Sequence, residues 1–301
     1  MGSILEISSR RVFPLEAETT IGRSAQSRLV LDGRLVSSLH SMVRFTPLGW
    51  EIKDLGSTNG TFVNGTRLLA GAVCALHEGD TFSFGSPENG WKLLEEAPPG
   101  AMVSSSAGAV IVAEQQMIVL PSADGPVVTI YCTAKGSWRR EQASLSSDID
   151  NGQWFDALGQ RWKFSLPDSI TKTDALKFKD VRSARLTFGV SSDQEDIHLR
   201  ADTPGVSIDL GNRASNQLLL VLARRRLSDA ESGLESANCG WLYPDDLARA
   251  LATDPEHVNV DIFRVRRRFG PHFDNAAEII ERQGVSRRLR LNVENIEIRT
   301  L

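Results

Sequence analysis

Three short stretches near the start of the chain concentrate the residue types that recognise phosphate. They are Gly22-Arg23-Ser24, Ser37-Ser38-Leu39-His40, and the run DLGSTNGTFVNG from Asp54 to Gly65. Arginine presents its N–H donors in a planar fork that matches phosphate oxygens, and hydroxyls and amides add shorter, directional donors. Such groups read a phosphorylated side chain only when a rigid frame holds them. The third stretch offers that frame: Asn and Gly tolerate positive φ, so its two Asn-Gly pairs set tight turns around a brief strand, Thr61-Phe62-Val63. A nucleophilic role for Ser37 beside His40 lacks a positioned carboxylate behind the histidine. A structural hydrogen bond is expected of His40 instead.

A second set lies in DPEHVNVDIFRVRRRFG, from Asp254 to Gly270. Asp254 reads as an N-cap with Pro255 in the first turn. Val258, Ile262, Val265 and Phe269 form one apolar stripe at helical spacing. His257, Asp261, Arg264 and Arg268 fall on the opposite side, flanked by Asn259 and Arg267. Downstream, EIIERQ and RRLRLNV are expected to pair across Gly284-Val285-Ser286. Leu289, Leu291 and Val293 then share one face, and Arg288, Arg290 and Asn292 the other, as in a wing. Arg264, Arg267, Arg268, Arg287 and Arg288 have the chemistry to neutralise nucleic-acid phosphates, with Asn259 beside them. Glu256, Asp261, Glu278 and Glu281 are interleaved, so a solvated or protein-contacting face is the other reading. Arg224–Arg226 are expected at a helix C-terminus, where the dipole favours cations.

The elements that must position these groups fall into segments. Residues 3–94 show short alternating runs separated by Gly, Asn, Asp and Pro, the pattern of an all-β sandwich. Residues 97–108 are rich in Pro, Gly, Ser and Ala without an apolar face, and read as a flexible tether. Residues 109–182 are strand-like. There, Gly152-Gln153-Trp154-Phe155 with Trp162-Lys163-Phe164 echoes Gly79-Asp80-Thr81-Phe82 with Trp91-Lys92-Leu93, either as a truncated copy of the first sandwich or as chance likeness. From residue 183 to 301 three strands are followed by three helices and the hairpin, an α+β arrangement with two helices joined tightly enough for a helix-turn-helix.

The order GR, SxxH, STNGTFVNG resembles the forkhead-associated (FHA) domain, a phosphothreonine-binding module, over residues 1–96. The resemblance implies that Arg23 and Ser37 bind the phosphate, that Thr58 assists, and that the Asn59 side chain holds the backbone of the bound peptide. Gly22, His40 and Gly60 would be scaffold. Ser38 stands where many members carry Arg, which removes a positive charge beside the peptide. Residues 183–301 resemble the effector domain of two-component response regulators, a winged helix-turn-helix. That likeness implies a third helix in the major groove and a wing on phosphate or the minor groove. The wing lacks the usual Gly-Tyr ending, and a receiver domain is absent.

Composition bounds the rest. The chain has 301 residues, 41% hydrophobic and 24% charged, enough for two or three globular domains. Thirty-four basic against 38 acidic residues give a net charge of -4, so any nucleic-acid site must be a local patch. Cys74, Cys132 and Cys239 are odd in number and widely spaced, which argues against disulfides and zinc and for buried small hydrophobes. No signal peptide or membrane span is expected, and the location is read as cytoplasmic. Neither a nucleotidase-type phosphate loop, HExxH nor a nucleophile elbow occurs, so the expectation is a non-enzyme with no cofactor, metal or small-molecule substrate. The expected partners are a phosphothreonine-bearing protein, through the sandwich, and DNA, through the winged helix. The alternative is an interaction scaffold whose winged helix contacts protein.

Overall fold

A computed structural model describes residues 1–88, 90–122, 125–143, 145–167 and 179–301. The chain divides into two compact units, one built on Met1–Met102, the other on Val103–Phe164 with the chain from residue 179 onward.

In the first unit the alternating runs become β1 (Ser3–Glu6), β2 (Val12–Pro14), β3 (Glu18–Gly22), β4 (Leu29–Val30), β5 (Ser41–Thr46), β6 (Gly49–Asp54), β7 (Thr61–Val63), β8 (Thr66–Arg67), β9 (Val73–Leu76), β10 (Thr81–Phe84) and β11 (Trp91–Glu95). They form two sheets, ordered β2-β1-β11-β10-β7-β8 and β4-β3-β5-β6-β9. Side chains on a strand alternate between faces, so one phase of each run points into a shared core of Ile4, Ile21, Val43, Trp50, Ile52, Phe82 and Leu93. On β6 that phase runs Trp50, Ile52, Asp54, which puts a carboxylate at the buried end of the strand. The expected strand Thr61–Val63 is β7. Strands β3 and β9 carried too little alternation to be foreseen, and β3 ends at Gly22, directly beside Arg23.

The second unit begins with β12 (Met102–Ser105), followed by β13 (Val110–Val112), β14 (Met117–Leu120), β15 (Val128–Cys132), β16 (Trp138–Gln142), β17 (Leu145–Asp148), β18 (Trp154–Ala157) and β19 (Gln160–Ser165). Strand β12 corrects the expectation of a tether over 97–108. Met102, Val103, Ser104 and Ser105 are all buried, because the partner strand β19 overrides a local composition that favours coil. The two sheets run β13-β12-β19-β18 and β14-β15-β16-β17. This is the strand order β2-β1-β11-β10 and β3-β5-β6-β9 of the first sandwich without β4, β7 and β8. The echo between the two segments extends to hydrogen bonds. Gly79 N–H donates to Leu93 O at 2.8 Å and Leu93 N–H to Asp80 O at 2.9 Å; Gly152 N–H donates to Phe164 O at 2.9 Å and Phe164 N–H to Gln153 O at 2.9 Å. Phe82 lies opposite Trp91, and Phe155 opposite Trp162. Of the strands without a counterpart, β7 directly follows Thr58-Asn59-Gly60 of the phosphate-type loops.

The remainder comprises β20 (Arg185–Val190), β21 (Ile197–Thr203), β22 (Val206–Asn212), α1 (Asn216–Glu231), α2 (Pro244–Ala250), α3 (Pro255–Phe269), β23 (Ile280–Arg282), β24 (Leu289–Leu291) and β25 (Asn295–Thr300). β23 and β24 form the expected hairpin. β25, which was not foreseen, closes the sheet β22-β21-β20-β25 in parallel with β20. Val258, Ile262, Val265 and Phe269 join a core with Leu218, Leu222, Leu247, Leu289 and Leu291. Arg224–Arg226 are not at a helix end, because α1 continues to Glu231. Arg226 is buried, reaching Cys239 O and Leu291 O at 3.4 Å and Ser236 Oγ at 3.2 Å.

Candidate functional site

The loops at one end of the first sandwich bring the phosphate-type residues together through the backbone. Arg23 N–H donates to Ser37 O at 2.9 Å and Ser24 N–H to Ser38 O at 3.0 Å, which sets the loop after β3 against the loop before β5. This approach requires Gly22, since a Cβ there would lie 2.3 Å from the Ser38 carbonyl oxygen. The Arg23 side chain is exposed. Thr58 N–H donates to Ser37 Oγ at 3.1 Å, so the Ser37 hydroxyl is oriented by an acceptor role and keeps its own proton for a ligand oxygen. Asn59 Nδ2 donates to Leu35 O at 2.9 Å, tying the third loop to the second and leaving its carbonyl oxygen for a further donor. Thr58 and Ser38 are exposed.

His40 holds this frame from beneath. It is fully buried, its Nδ1 accepts the Ser37 N–H at 3.0 Å, and its Nε2 lies 3.2 Å from Gly60 O. An Nδ1 that accepts places the proton on Nε2, which therefore donates to Gly60. Burial pushes the pKa below its ordinary value against the opposing Gly60 bond and Asp54 charge, so the ring is neutral at neutral pH. Gly60 itself has φ +90°, a conformation that side-chain-bearing residues rarely adopt.

Asp54 is the organising residue that sequence reasoning missed. Its Oδ1 accepts Gly56 N–H at 2.9 Å and Ser57 N–H at 3.0 Å, and its Oδ2 accepts the hydroxyls of Ser57 at 2.6 Å and Thr61 at 2.7 Å. Ser57 Oγ in turn accepts Gly60 N–H at 3.0 Å. Burial raises the carboxyl pKa, but these hydrogen bonds outweigh it and hold the group below the usual range. The available signal was an Asp two residues before a Gly at the start of a turn-rich stretch, the setting of an Asx-turn.

In the second unit, α3 has two buried faces rather than one. Besides the apolar stripe, Phe263 and Arg266 pack against the second sandwich, where Phe263 meets Met117, Tyr131 and Ala277. Arg266 forms a two-pronged pair with Glu141, at 3.0 and 2.8 Å, donates to Ile280 O at 2.9 Å, and lies 4.6 Å over the Tyr131 ring. Tyr131 Oη donates to Glu141 at 3.0 Å, and Arg282 Nε sits 3.4 Å from the same carboxylate. Burial alone would raise the Glu141 pKa; the two guanidinium groups outweigh it and hold the carboxyl at about 2. None of these residues was singled out from sequence, although Arg266 falls one turn beyond Ile262 at the edge of the stripe.

The residues expected to meet nucleic acid are separated accordingly. Arg264 and Arg267 are exposed on the third side of α3, with Arg264 paired to Asp261 at 3.3 Å. Arg287 is exposed at the hairpin tip, with φ +61°. Arg288 is turned back, donating to Gln283 at 2.8 Å and lying 5.8 Å over the Trp241 ring. Asn259 is turned toward the hairpin, where its Oδ1 accepts from Arg282 at the end of β23 at 2.9 Å. Arg268 is half-buried rather than on an open face, because it turns toward the start of α1. Among the described residues no cluster of His, Cys, Asp and Glu is arranged to hold a metal ion, and no helix is long and apolar enough to cross a membrane.

Residues 19–85 match the FHA domain family. An ABC transporter ATP-binding/permease protein of Mycobacterium tuberculosis is 42% identical over 66 residues, which are 22% of this chain and 7% of that protein. The transcriptional regulatory protein EmbR of Mycobacterium tuberculosis is 37% identical over 76 residues, 25% of this chain and 19% of that one. This chain therefore spans only a minor part of either relative. A solved structure of Mycobacterium tuberculosis EmbR in complex with a low-affinity phosphopeptide is 30% identical, covering 32% of this chain and 25% of that chain with a TM-score of 0.29. The matched span holds Gly22, Arg23, Ser37, His40, Asp54 and the run Thr58–Gly60.

Proposed function

With an FHA domain at residues 19–85 as the premise, we propose that the chain is a phosphothreonine-dependent signalling adaptor and transcription regulator. The FHA domain binds a phosphorylated partner protein, and the C-terminal unit contacts DNA as a winged helix. The observation that carries the first half is the convergence of Arg23, Ser37, Thr58 and Asn59 on one loop surface, with the Ser37 hydroxyl oriented by Thr58 N–H. A phosphate there meets an exposed guanidinium and a hydroxyl proton, both charge-assisted donors to an anion. Thr58 adds a second hydroxyl, and the Asn59 carbonyl oxygen accepts from the backbone of the bound peptide.

The DNA half is supported by α2 and α3 followed by the β23–β24 hairpin, and by the exposed Arg264, Arg267 and Arg287. One observation favours the alternative, in which the winged helix serves protein contact: the Phe263–Arg266 side of α3 is already given to the second sandwich. The role proposed is binding throughout, without catalysis. A pull-down with full-length protein, wild type against Arg23→Ala, tests the reading. Proteins retained by the wild type, released by phosphatase and lost with Arg23→Ala support it. An identical set on both proteins would refute it.

A further inference from the structure

The start of α1 and the C-terminal half of α3 border an open recess of about 530 Å3 within the second unit, lined by Arg213, Ala214, Ser215, Phe263, Arg264, Arg267 and Arg268. Four of these seven are arginines, and among the described residues no carboxylate lines it. Arg264 is paired with Asp261 at 3.3 Å, while Arg213 donates to its neighbour's carbonyl, Asn212 O, at 3.2 Å. Arg268 is the anomaly. Its Nε, Nη1 and Nη2 are all shielded from solvent and none is hydrogen-bonded among the described residues; the Phe269 ring, 5.9 Å away, gives the guanidinium a weak cation–π contact.

A guanidinium has five N–H donors, and burying it without acceptors is among the costlier arrangements a fold can retain. Burial, with the Arg213 charge beside it, brings its pKa down to about 10, which still leaves it protonated at neutral pH. Helix α1 begins at the same place. Asn216 N–H and Gln217 N–H donate to Arg213 O at 2.8 Å and Ala214 O at 3.1 Å, but the N-cap, Ser215, makes no side-chain capping bond and the first turn contains no acidic residue, so the positive end of the helix dipole has no counter-charge there. Asp261 offsets Arg264 in part; the other charges of the recess are positive.

We infer that this recess is a binding site for a phosphate group, held at depth by Arg268 and at the mouth by Arg213, Arg264 and Arg267. The inference goes beyond duplex binding by an exposed helix face, because Arg213 and Ser215 lie on another element and Arg268 faces inward. The phosphate has two possible sources, a small phosphorylated ligand or the backbone of a nucleic acid. A small ligand would find the apolar wall of Phe263 beside the charge.

The test uses full-length protein carrying Arg23→Ala, so that phosphate binding at the FHA loops does not contribute. Inorganic pyrophosphate and a short DNA duplex are titrated separately at constant ionic strength, by calorimetry and by thermal unfolding. Pyrophosphate should bind and raise the melting temperature, and adding the exposed-site change Arg213→Gln should weaken it about tenfold or more. Arg268→Gln should abolish the response while leaving the ligand-free protein as stable or more so, because it removes an unpaired buried charge. If only duplex binding depends on Arg213 and Arg268, the inference holds with the nucleic-acid backbone as the source. If neither probe binds, or binding is indifferent to both substitutions, the inference is overturned, and duplex binding that survives them would leave the winged-helix reading standing alone.

Discussion

Replacing Glu141 by Gln probes how the C-terminal unit is held together. The carboxylate is 8% exposed and accepts from Arg266, whose side chain is 1% exposed, and from Tyr131, with Arg282 at 3% exposure beside it. Glutamine keeps the volume and removes the charge that the buried Arg266 pairs with. Breaking a buried pair from one side costs about 3 to 5 kcal/mol. Linkage gives a figure of the same order: a carboxyl whose pKa falls from 4.5 unfolded to about 2 folded favours the native state by roughly 3 kcal/mol. The sign is that of a depressed carboxyl. Its contribution is fully present above pH 4.5 and is lost as the pH falls toward about 2. At about 2 to 4 °C per kcal/mol for a unit of this size, the variant should melt roughly 6 to 20 °C lower at pH 7. Calorimetry at pH 7 and along an acid series from pH 5 to about 2.5 measures both effects. A loss below about 1 kcal/mol, or an acid limb as steep as that of the wild type, would refute the assignment of Glu141 as the charge that docks α3 on the second sandwich.

Three further perturbations have defined outcomes. Gly22→Ala places a Cβ 2.3 Å from Ser38 O, so the loops of Arg23 and Ser37 must part; a loss of about 1 to 3 kcal/mol in urea unfolding, with weakened phosphopeptide binding, is expected. Protonating His40 would remove the acceptor for Ser37 N–H, and its folded pKa lies below 6.5, so the stability of the FHA domain should fall as the pH drops from 6.5 through that lower value; His40→Gln should lack this limb in urea titrations at pH 7.5 and 5.5. If α3 and the hairpin engage a duplex, the log affinity should fall with log salt by about 0.9 per phosphate contact. Arg264→Ala or Arg287→Ala should each flatten that slope by about one in fluorescence anisotropy. Asn259→Ala should leave the slope alone and cost stability instead, since Arg282 loses an acceptor.

What the sequence disclosed was local. Turn-forming Asn-Gly pairs, the Arg23, Ser37 and His40 loops, the stripe of α3 and the β23–β24 hairpin are each written in a few consecutive residues, and each could be read without knowing its neighbours. What stayed hidden depends on partners distant in the chain. Asp54 becomes the hub of the third loop only because alternation along β6 turns it inward. Met102–Ser105 looks like coil until β19 supplies a pairing edge. The second buried face of α3 needs Glu141, 125 positions away in sequence from Arg266. A run of arginines reads as one charged face, yet Arg264, Arg266, Arg267 and Arg268 point in different directions around the helix. Arg266 is buried and paired, Arg268 is half-buried, and only Arg264 and Arg267 of the four are exposed.

Phosphopeptide calorimetry on the full-length chain tests the central reading most directly. The probes are a phosphothreonine peptide from a protein that the pull-down retains, its phosphoserine counterpart and the unmodified peptide, each titrated into wild type, Arg23→Ala and Ser37→Ala. Each charge-assisted hydrogen bond to the phosphate is worth about 1.5 to 3 kcal/mol, so either substitution should weaken phosphothreonine binding about tenfold or more. The phosphoserine peptide should bind less well and the unmodified peptide not measurably, while thermal stability stays within about 1 kcal/mol because Arg23 is exposed. Equal affinity for the modified and unmodified peptides, or binding indifferent to Arg23→Ala, would contradict it.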